Sequence, residues 1–377
     1  MWYHTAMEIQ RTVTITLPAD ADLRATLTAF RAVQNAVSAD AFNDGKPLAA
    51  VPLQRVVYGR VKGTLNSQMT ITALRLVVGA YSIAVKGRNR RLTAEARRKT
   101  RFESKGWRYT PRQIKPLGVC RFERRAAMFL VGVRGRDADF RQDGTLSIRT
   151  VGGRKRLSYK VVRAHQALFD AAKEIDSLTV VERDGHLYGR VALTLDAPDP
   201  TGVTPVGIDL NETNALVAVD SDGNELFLSG LATKVKNRRT MQATKRVQRT
   251  LATRKAEGTD TRSVRRVLKR LSGRRTRRTR DVARVTAKML VAWAPADAVL
   301  VFEDLRMSRP EKGLTRGAAL RRRLSLWQFG AIRDAVESKA QMHGVAVTFV
   351  NPAYTSQNCS RCGLRGKRHR HKFTCPH

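Results

Sequence analysis

The second half of the chain holds the pattern that most narrows its fold: short strand-like apolar runs spaced by long helical stretches. Pro205 to Asp220 gives two such runs, and Ser221-Asp222-Gly223-Asn224 is a hairpin-type turn into Leu226-Phe227-Leu228. A helical region follows from Lys234 to about Trp293. Ala298 to Phe302 is continuously apolar, the pattern of a strand buried on both faces. A helix from about Leu324 to His343, with Trp327 and Phe329 as core residues, leads to a second such run, Val345 to Val350. Strand hairpin, long helix, strand, helix, strand is the order of an α/β layer fold.

The first half reads differently. Glu8 to Leu17 alternates polar and apolar residues, which predicts a strand, and from Ala21 to Val85 apolar residues recur at helical spacing. Lys86 to Lys115 reads as a basic, irregular patch. Short strands are expected between Val119 and Leu195, with turns at Gln142-Asp143-Gly144, Gly152-Gly153 and Asp184-Gly185 and a helix over Ser158 to Lys173. This predicts a β module with a helical module inserted after its first strand. Ala197-Pro198-Asp199-Pro200-Thr201-Gly202 is the linker.

Charge enters where partners are concerned. The 377 residues carry 71 Lys+Arg against 32 Asp+Glu, a formal charge of +39. Such a chain repels itself unless an anionic partner neutralises it, and a nucleic acid gains affinity through counterion release at each phosphate contact. An anionic membrane surface is the other candidate, but no lipidation motif or clear basic amphipathic helix supports it. No signal peptide or membrane span is expected, so the chain reads as cytoplasmic and nucleoid-associated. Between Leu231 and Arg280 stand nineteen Lys+Arg and two acids. Arg265, Arg266, Arg274, Arg275, Arg277 and Arg278 are the backbone-contact candidates there, against the plainer reading of a disordered basic linker. Arg88, Arg90, Arg91, Arg97, Arg98 and Lys99 form a second patch. Trp107 and Tyr109 nearby are candidate stacking platforms or core residues.

Two acids and three cysteines stand out. In Val206-Gly207-Ile208-Asp209-Leu210, the two-residue period puts Asp209 on the face opposite its apolar neighbours. Glu303 closes the Ala298–Phe302 strand at its carboxyl end, where open α/β sheets place their sites. Two such acids on neighbouring strands suit Mg²⁺, and a two-metal site serves phosphodiester cleavage. Taken singly, Asp209 also reads as capping a turn with Asn211, and Glu303-Asp304 as a plain strand end. Cys359, Cys362 and Cys375 fall within the last nineteen residues, with half a zinc-ribbon spacing plus one further ligand. His369, His371 and His377 are the candidates for a fourth. Cys120 stands alone and reads as core.

These motifs resemble the TnpB family encoded by insertion sequences, relatives of the compact type V CRISPR effectors. Val206-Gly207-Ile208-Asp209-Leu210 is similar to the first RuvC motif and Val301-Phe302-Glu303-Asp304-Leu305 to the second. Asn351-Pro352-Ala353-Tyr354-Thr355-Ser356-Gln357-Asn358-Cys359-Ser360-Arg361-Cys362-Gly363 is similar to the entry into that family's zinc ribbon. The resemblance runs from about Pro205 to His377; the first half matches in layout alone.

It implies a multidomain α+β protein. Residues 1–20 and 102–198 would form a β wedge-like domain, 21–101 a helical recognition insertion, 203–350 an RNase H-like RuvC nuclease domain and 351–377 a zinc ribbon. Asp209 and Glu303 would be catalytic Mg²⁺ ligands, and Cys359, Cys362 and Cys375 structural Zn²⁺ ligands. The partners would be a guide RNA transcribed from a flanking region and double-stranded target DNA. The family's third acid, an Asp just past the ribbon's last cysteine, has no counterpart through His377, so a chain ending there is expected to bind but cut poorly. A nuclease-dead guided repressor and a transposase that joins strands are the rival functions.

Overall fold

The computed structural model describes residues 7–43, 46–132, 137–211, 214–304, 329–355, 357–359, 361–369 and 372–377. The chain divides into two compact units, one of Glu8–Asp196 and one built from Ala197–His377. Their boundary coincides with the Pro-rich segment after Ala197.

The first unit opens with β1 (Met7–Leu17) and α1 (Ala21–Ser38). Asp20 caps α1 by accepting from the Leu23 N–H at 2.7 Å, the ordinary way an Asp satisfies an orphan helix donor. Two-residue strands β2 (Phe42–Asn43) and β3 (Lys46–Pro47) precede α2 (Ala50–Val61) and α3 (Ser67–Glu103). Asn66 caps α3 through the Met69 N–H at 2.8 Å. Then come β4 (Ala126–Leu130), β5 (Ala138–Phe140), β6 (Thr145–Thr150), β7 (Gly153–Ser158), β8 (Lys160–Val161), α4 (Gln166–Asp170), β9 (Glu174–Arg183) and β10 (His186–Ala197). One sheet has the order β4-β9-β10-β1-β8 and a second β5-β6-β7. Val13 and Ile15 of β1, Leu27 and Phe30 of α1, Leu74 and Tyr81 of α3, and Leu178 and Val191 share one core. Cys120 is half-buried against it, and burial pushes its thiol up.

Two expectations are corrected here. Lys86–Glu103 is helix and continues α3. The stretch is rich in Arg, Lys, Ala and Glu, all good helix formers, and carries the i,i+3 pair Glu95–Arg98 at 2.6 Å and the i,i+4 pair Lys99–Glu103 at 3.8 Å. The helix expected over Ser158–Lys173 shrinks to α4, because Tyr159, Val161 and Val162 prolong the extended chain into β8. The first half of α3 is also long and apolar enough, by composition, to cross a membrane. Its Met69, Ala73, Leu74, Val77 and Tyr81 are buried in the core just described.

The second unit runs β11 (Thr204–Asp209), β12 (Asn214–Val219), β13 (Glu225–Ser229), α5 (Leu231–Ala256), α6 (Arg262–Trp293), β14 (Ala298–Glu303), α7 (Phe329–Met342), β15 (Ala346–Val350), β16 (Lys367–His369) and β17 (Lys372–Thr374). The expected single helix is two. Gly258 takes φ +69° after Glu257, a left-handed helix stop that a side chain resists. The sheet order is β13-β12-β11-β14-β15. β11, β14 and β15 run parallel, while β12 and β13 are antiparallel additions. Val206, Ile208, Leu300 and Phe302 form a core with Ala283, Ala287 and Leu290 of α6 and Ile332 and Val336 of α7. Phe329 packs partly buried against that core; Trp327 lies outside the described residues.

Candidate functional site

Asp209 and Glu303 end two strands that are hydrogen-bonded to each other. β11 and β14 are in parallel register from Thr204↔Ala298 to Ile208↔Phe302, so the next step pairs Asp209 with Glu303. Parallel neighbours lie about 4.8 Å apart. The register therefore holds the two acid Cα atoms at about that distance, at the carboxyl ends of the strands. Ile208 and Phe302 point into the helix-covered core, so both acids lie on the other face. Asp209 is exposed and Glu303 half-buried.

The Asn211 side-chain amide donates to Asp209 Oδ2 at 3.0 Å, which realises the turn contact expected for these two residues. It occupies one oxygen and leaves the other. The Thr355 hydroxyl donates to Glu303 Oε1. Among the described residues neither carboxylate forms a salt bridge with a Lys or Arg. Paired hard oxygens at a sheet's carboxyl edge, uncommitted to Lys or Arg, are the donor set Mg²⁺ takes. Of the second motif, Leu305 lies outside the described residues.

The cysteines meet in a separate place in the same unit. Cys359 and Cys362 sit on a tight turn, where the Cys359 N–H bonds the Leu364 carbonyl at 2.8 Å and the Gly363 N–H bonds the Cys359 carbonyl at 2.9 Å. Gly363 has φ +70°, which a glycine adopts without strain. The β16–β17 hairpin carries Cys375 back to that turn. The three sulfurs lie within 4.8 Å of one another, Cys362 and Cys375 at 3.5 Å. Thiolates about 2.3 Å from one zinc ion stand about 3.8 Å apart, so the cluster fits that ion. Backbone N–H groups of Cys362 and Arg361, then the Cys375 sulfur, lower the Cys359 thiol to about 7. At Cys375 the His377 N–H favours the thiolate, yet its sulfur neighbour Cys362, together with burial, leaves that thiol above its ordinary value. Among the described residues no histidine joins the three sulfurs, His369 and His377 included. His371 lies outside the described residues.

The basic residues are laid out along helices. Arg265, Arg266, Arg274, Arg275 and Arg277 of α6 are exposed. Arg278 turns back instead, donating to the Lys236 carbonyl at 3.0 Å and the Thr240 hydroxyl at 2.8 Å, and so ties α6 to α5. On α3, Arg90, Arg91, Arg97 and Lys99 are exposed, while Arg88 is half-buried. Arg98 bonds Glu95 and lies over the Phe102 and Tyr109 rings. Tyr109 donates to Glu95 at 2.8 Å, which folds the chain after α3 back onto it. Trp107 is 44% exposed with Lys105 over its ring. An open groove of about 540 Å³ runs between α6 and α7, lined by Arg275, Arg280, Arg284, three hydroxyl residues and alanines.

A sequence profile described as the Cas12f1-like TNB domain matches residues 329–377, which hold the whole cysteine cluster. A TnpB-like protein of Methanocaldococcus jannaschii is 29% identical over 163 residues, covering 42% of this chain and 56% of that protein. A TnpB-like protein of Aquifex aeolicus is 34% identical over 94 residues, 24% of this chain and 30% of that protein. Over these segments the chain is similar to TnpB-family proteins. It spans about half the length of the first of these relatives and under a third of the second. The CRISPR-associated endodeoxyribonuclease Cas12f1 of Syntrophomonas palmitatica shares 40% identity over 47 residues, 12% of this chain and 10% of that one. In fold, the chain resembles the Cas12f1 of a Cas12f1–sgRNA–target DNA complex, with TM-score 0.50 at 12% identity over 92% of this chain and 76% of that one. Its architecture is α+β with mixed sheets, similar to that structure.

The residue that sequence reasoning passed over is Thr355. It lies inside the motif entering the cysteine cluster, but no local spacing announces a contact 52 residues back to Glu303.

Proposed function

We propose that this protein is an RNA-guided DNA endonuclease of the TnpB type, hydrolysing DNA phosphodiesters at the Asp209–Glu303 pair. The supporting observation is the in-register placement of those two acids at the carboxyl ends of adjacent parallel strands in a chain similar to this family. Mg²⁺ bound there would neutralise charge on the scissile phosphate and its attacking and leaving oxygens. The protein's own part is positioning. The sheet fixes the spacing of the two acids, Asn211 orients Asp209, and Thr355 orients Glu303.

In this reading the second unit is a RuvC-type nuclease domain, and Cys359, Cys362 and Cys375 hold a structural Zn²⁺ that fastens the hairpin to the turn. The exposed arginines of α6 and α3 track phosphates of an RNA–DNA duplex, which such effectors read by backbone and shape while base pairing reads sequence. The first unit acts as the wedge and recognition part. The relatives named for Cas12f1 and TnpB, and the fold shared with a guide-bound complex, support RNA and DNA as partners.

The test is to express the gene's complete product with its native flanking DNA and sequence the RNA that copurifies. The complex is then incubated with a matching DNA duplex, with and without Mg²⁺. Discrete RNA with Mg²⁺-dependent cleavage that Asp209→Ala abolishes is the expected result. Heterogeneous RNA with no guided cutting would sink the reading, and joined DNA ends would mark a transposase.

A further inference from the structure

We propose that Thr355 is a positioning residue for Glu303, and that the cysteine-bearing segment aims its hydroxyl through a clamp between Tyr354 and Arg365. The inference rests on the reading of Glu303 as a metal ligand.

Thr355 Oγ1 meets two acceptors, the Glu303 carboxylate and the Pro352 carbonyl at 3.1 Å. A hydroxyl has one proton to give. The charged acceptor is the stronger partner, so the proton goes to Glu303. A glutamate side chain is otherwise free to rotate, and groups that hold a metal-binding carboxylate still affect metal affinity about 10- to 100-fold.

The geometry that delivers this hydroxyl is unusual. Tyr354, the residue before it, has φ +65°, in the left-handed region that aromatic residues avoid. Its ring is 54% exposed, so burial does not hold the conformation. Named contacts do. The Arg365 guanidinium lies over the Tyr354 ring at 4.2 Å. The Tyr354 carbonyl accepts from the N–H groups of Gln357 at 2.8 Å and Asn358 at 3.0 Å. Arg365 Nε and Nη2 also grip Gln357 Oε1 at 2.8 and 2.6 Å. Asn351 starts the turn by accepting from the Ala353 N–H at 2.9 Å.

Arg365 lies between Cys362 and Cys375, and bridges to Asn358 beside Cys359. The arm that orders the cysteine turn therefore also fixes Tyr354, and through it the neighbouring hydroxyl. Glu303 and the cysteine-bearing segment are linked by this path of contacts.

Thr355→Val removes the hydroxyl while keeping the shape, and Thr355→Ser keeps the hydroxyl. Both are made in the complete protein beside Glu303→Gln and Arg365→Met. The readouts are Mn²⁺ binding without nucleic acid, followed by loss of the free-ion electron paramagnetic resonance signal, and the Mg²⁺ concentration for half-maximal cleavage. Thr355→Val is expected to weaken Mn²⁺ binding and raise the Mg²⁺ midpoint about 10-fold, with Thr355→Ser within about twofold of the native protein. Guide and target affinity and the thermal midpoint stay unchanged. Arg365→Met gives a smaller shift that disappears in the Thr355→Val background, as residues acting along one path require. Native Mn²⁺ binding in Thr355→Val, or equal loss in Thr355→Ser, overturns the proposal while Glu303→Gln still loses the ion. If Glu303→Gln binds Mn²⁺ normally, the reading of Glu303 itself fails and takes this inference with it.

Discussion

The acid pair and the cysteine cluster occupy the same unit, and both gather ligand-type side chains, yet they are built by opposite means. Asp209 and Glu303 owe their proximity to the register of two parallel strands whose other faces are buried under α6 and α7. Remove both carboxylates and the sheet still has its core. Cys359, Cys362 and Cys375 sit on a turn and a two-stranded hairpin with no buried hydrophobic residue among the described residues there. Segments that small seldom hold their shape without a metal or disulfide. The acids are placed by the fold; the cysteines, once joined by an ion, would place theirs. A site of the first kind loses chemistry and keeps stability when its ligands go, and a site of the second kind loses local structure.

The largest test of that contrast is Asp209→Ala. Cleavage is expected to fall on the order of 10³-fold or more, since a charge-stabilising group at the reacting centre is removed. The thermal midpoint should move little, because Asp209 is exposed. A large drop in the midpoint would show the acid to be structural and break the comparison.

Cys362→Ser, or a chelator that strips zinc, should do the reverse. Amide exchange over residues 357–377 is expected to reach the rate of an unfolded chain while β11, β14 and β15 stay protected. Unchanged protection in the hairpin would mean the cysteines hold no ion.

Two glycines sharpen the point. A Cβ on Gly202 would stand 2.2 Å from the Ala298 carbonyl oxygen, at the start of the β11–β14 register. One on Gly366 would stand 2.4 Å from both the Thr374 carbonyl oxygen and the Phe373 ring, inside the hairpin. Gly202→Ala is expected to cost about 1–3 kcal/mol in denaturant unfolding and to lower cleavage, since the acids move with the strand. Gly366→Ala should leave the global unfolding midpoint in place and weaken zinc retention. The same result from both variants would erase the distinction.

The smallest effect concerns Asp137 in the first unit, the acid that shows what burial without a metal does. It is fully buried, with 3.4 Å contacts from the Asn66 amide and the Leu130 N–H, and burial, opposed by these contacts and by the charges of Arg154 and Arg149, raises its carboxyl above the ordinary range. The folded chain therefore holds this proton more tightly than the unfolded one. Stability from this group is complete below the unfolded carboxyl value of about 4 and declines as pH rises through the raised native value. Asp137→Asn lacks that decline, so its unfolding free energy relative to the native chain should climb with pH above about 4. A flat difference across pH would mean that folding leaves the Asp137 carboxyl at its unfolded value.

Much of this was legible in the sequence where the signal was local. The two-residue period around Asp209 predicted its face correctly, and the Cys359–Cys362 spacing predicted the turn. The Pro-rich segment after Ala197 marked the boundary between the two units. The reading failed where charge was taken for irregularity. Lys86–Glu103 looked like a patch because its charge drew notice, although its residues are good helix formers and its acids sit at pairing distance. It failed again at Gly258, where one glycine within a basic run divides α5 from α6. Tyr109, a candidate for stacking or for core, also gives its hydroxyl to Glu95, a contact that no local spacing announced.

By itself the sequence determined most of the strands and helices, the buried face of β11, and which residues carry carboxylate and thiol chemistry. Those depend on neighbours a few positions away, through backbone preference and hydrophobic period. Only the tertiary structure decided that β11 lies beside β14, that Cys375 returns to the Cys359–Cys362 turn, and that Thr355 reaches Glu303. Several pairings of such strands satisfy the local pattern equally well. The choice among them falls to the burial of Ile208, Phe302 and the helices together, set against the entropy of closing long loops.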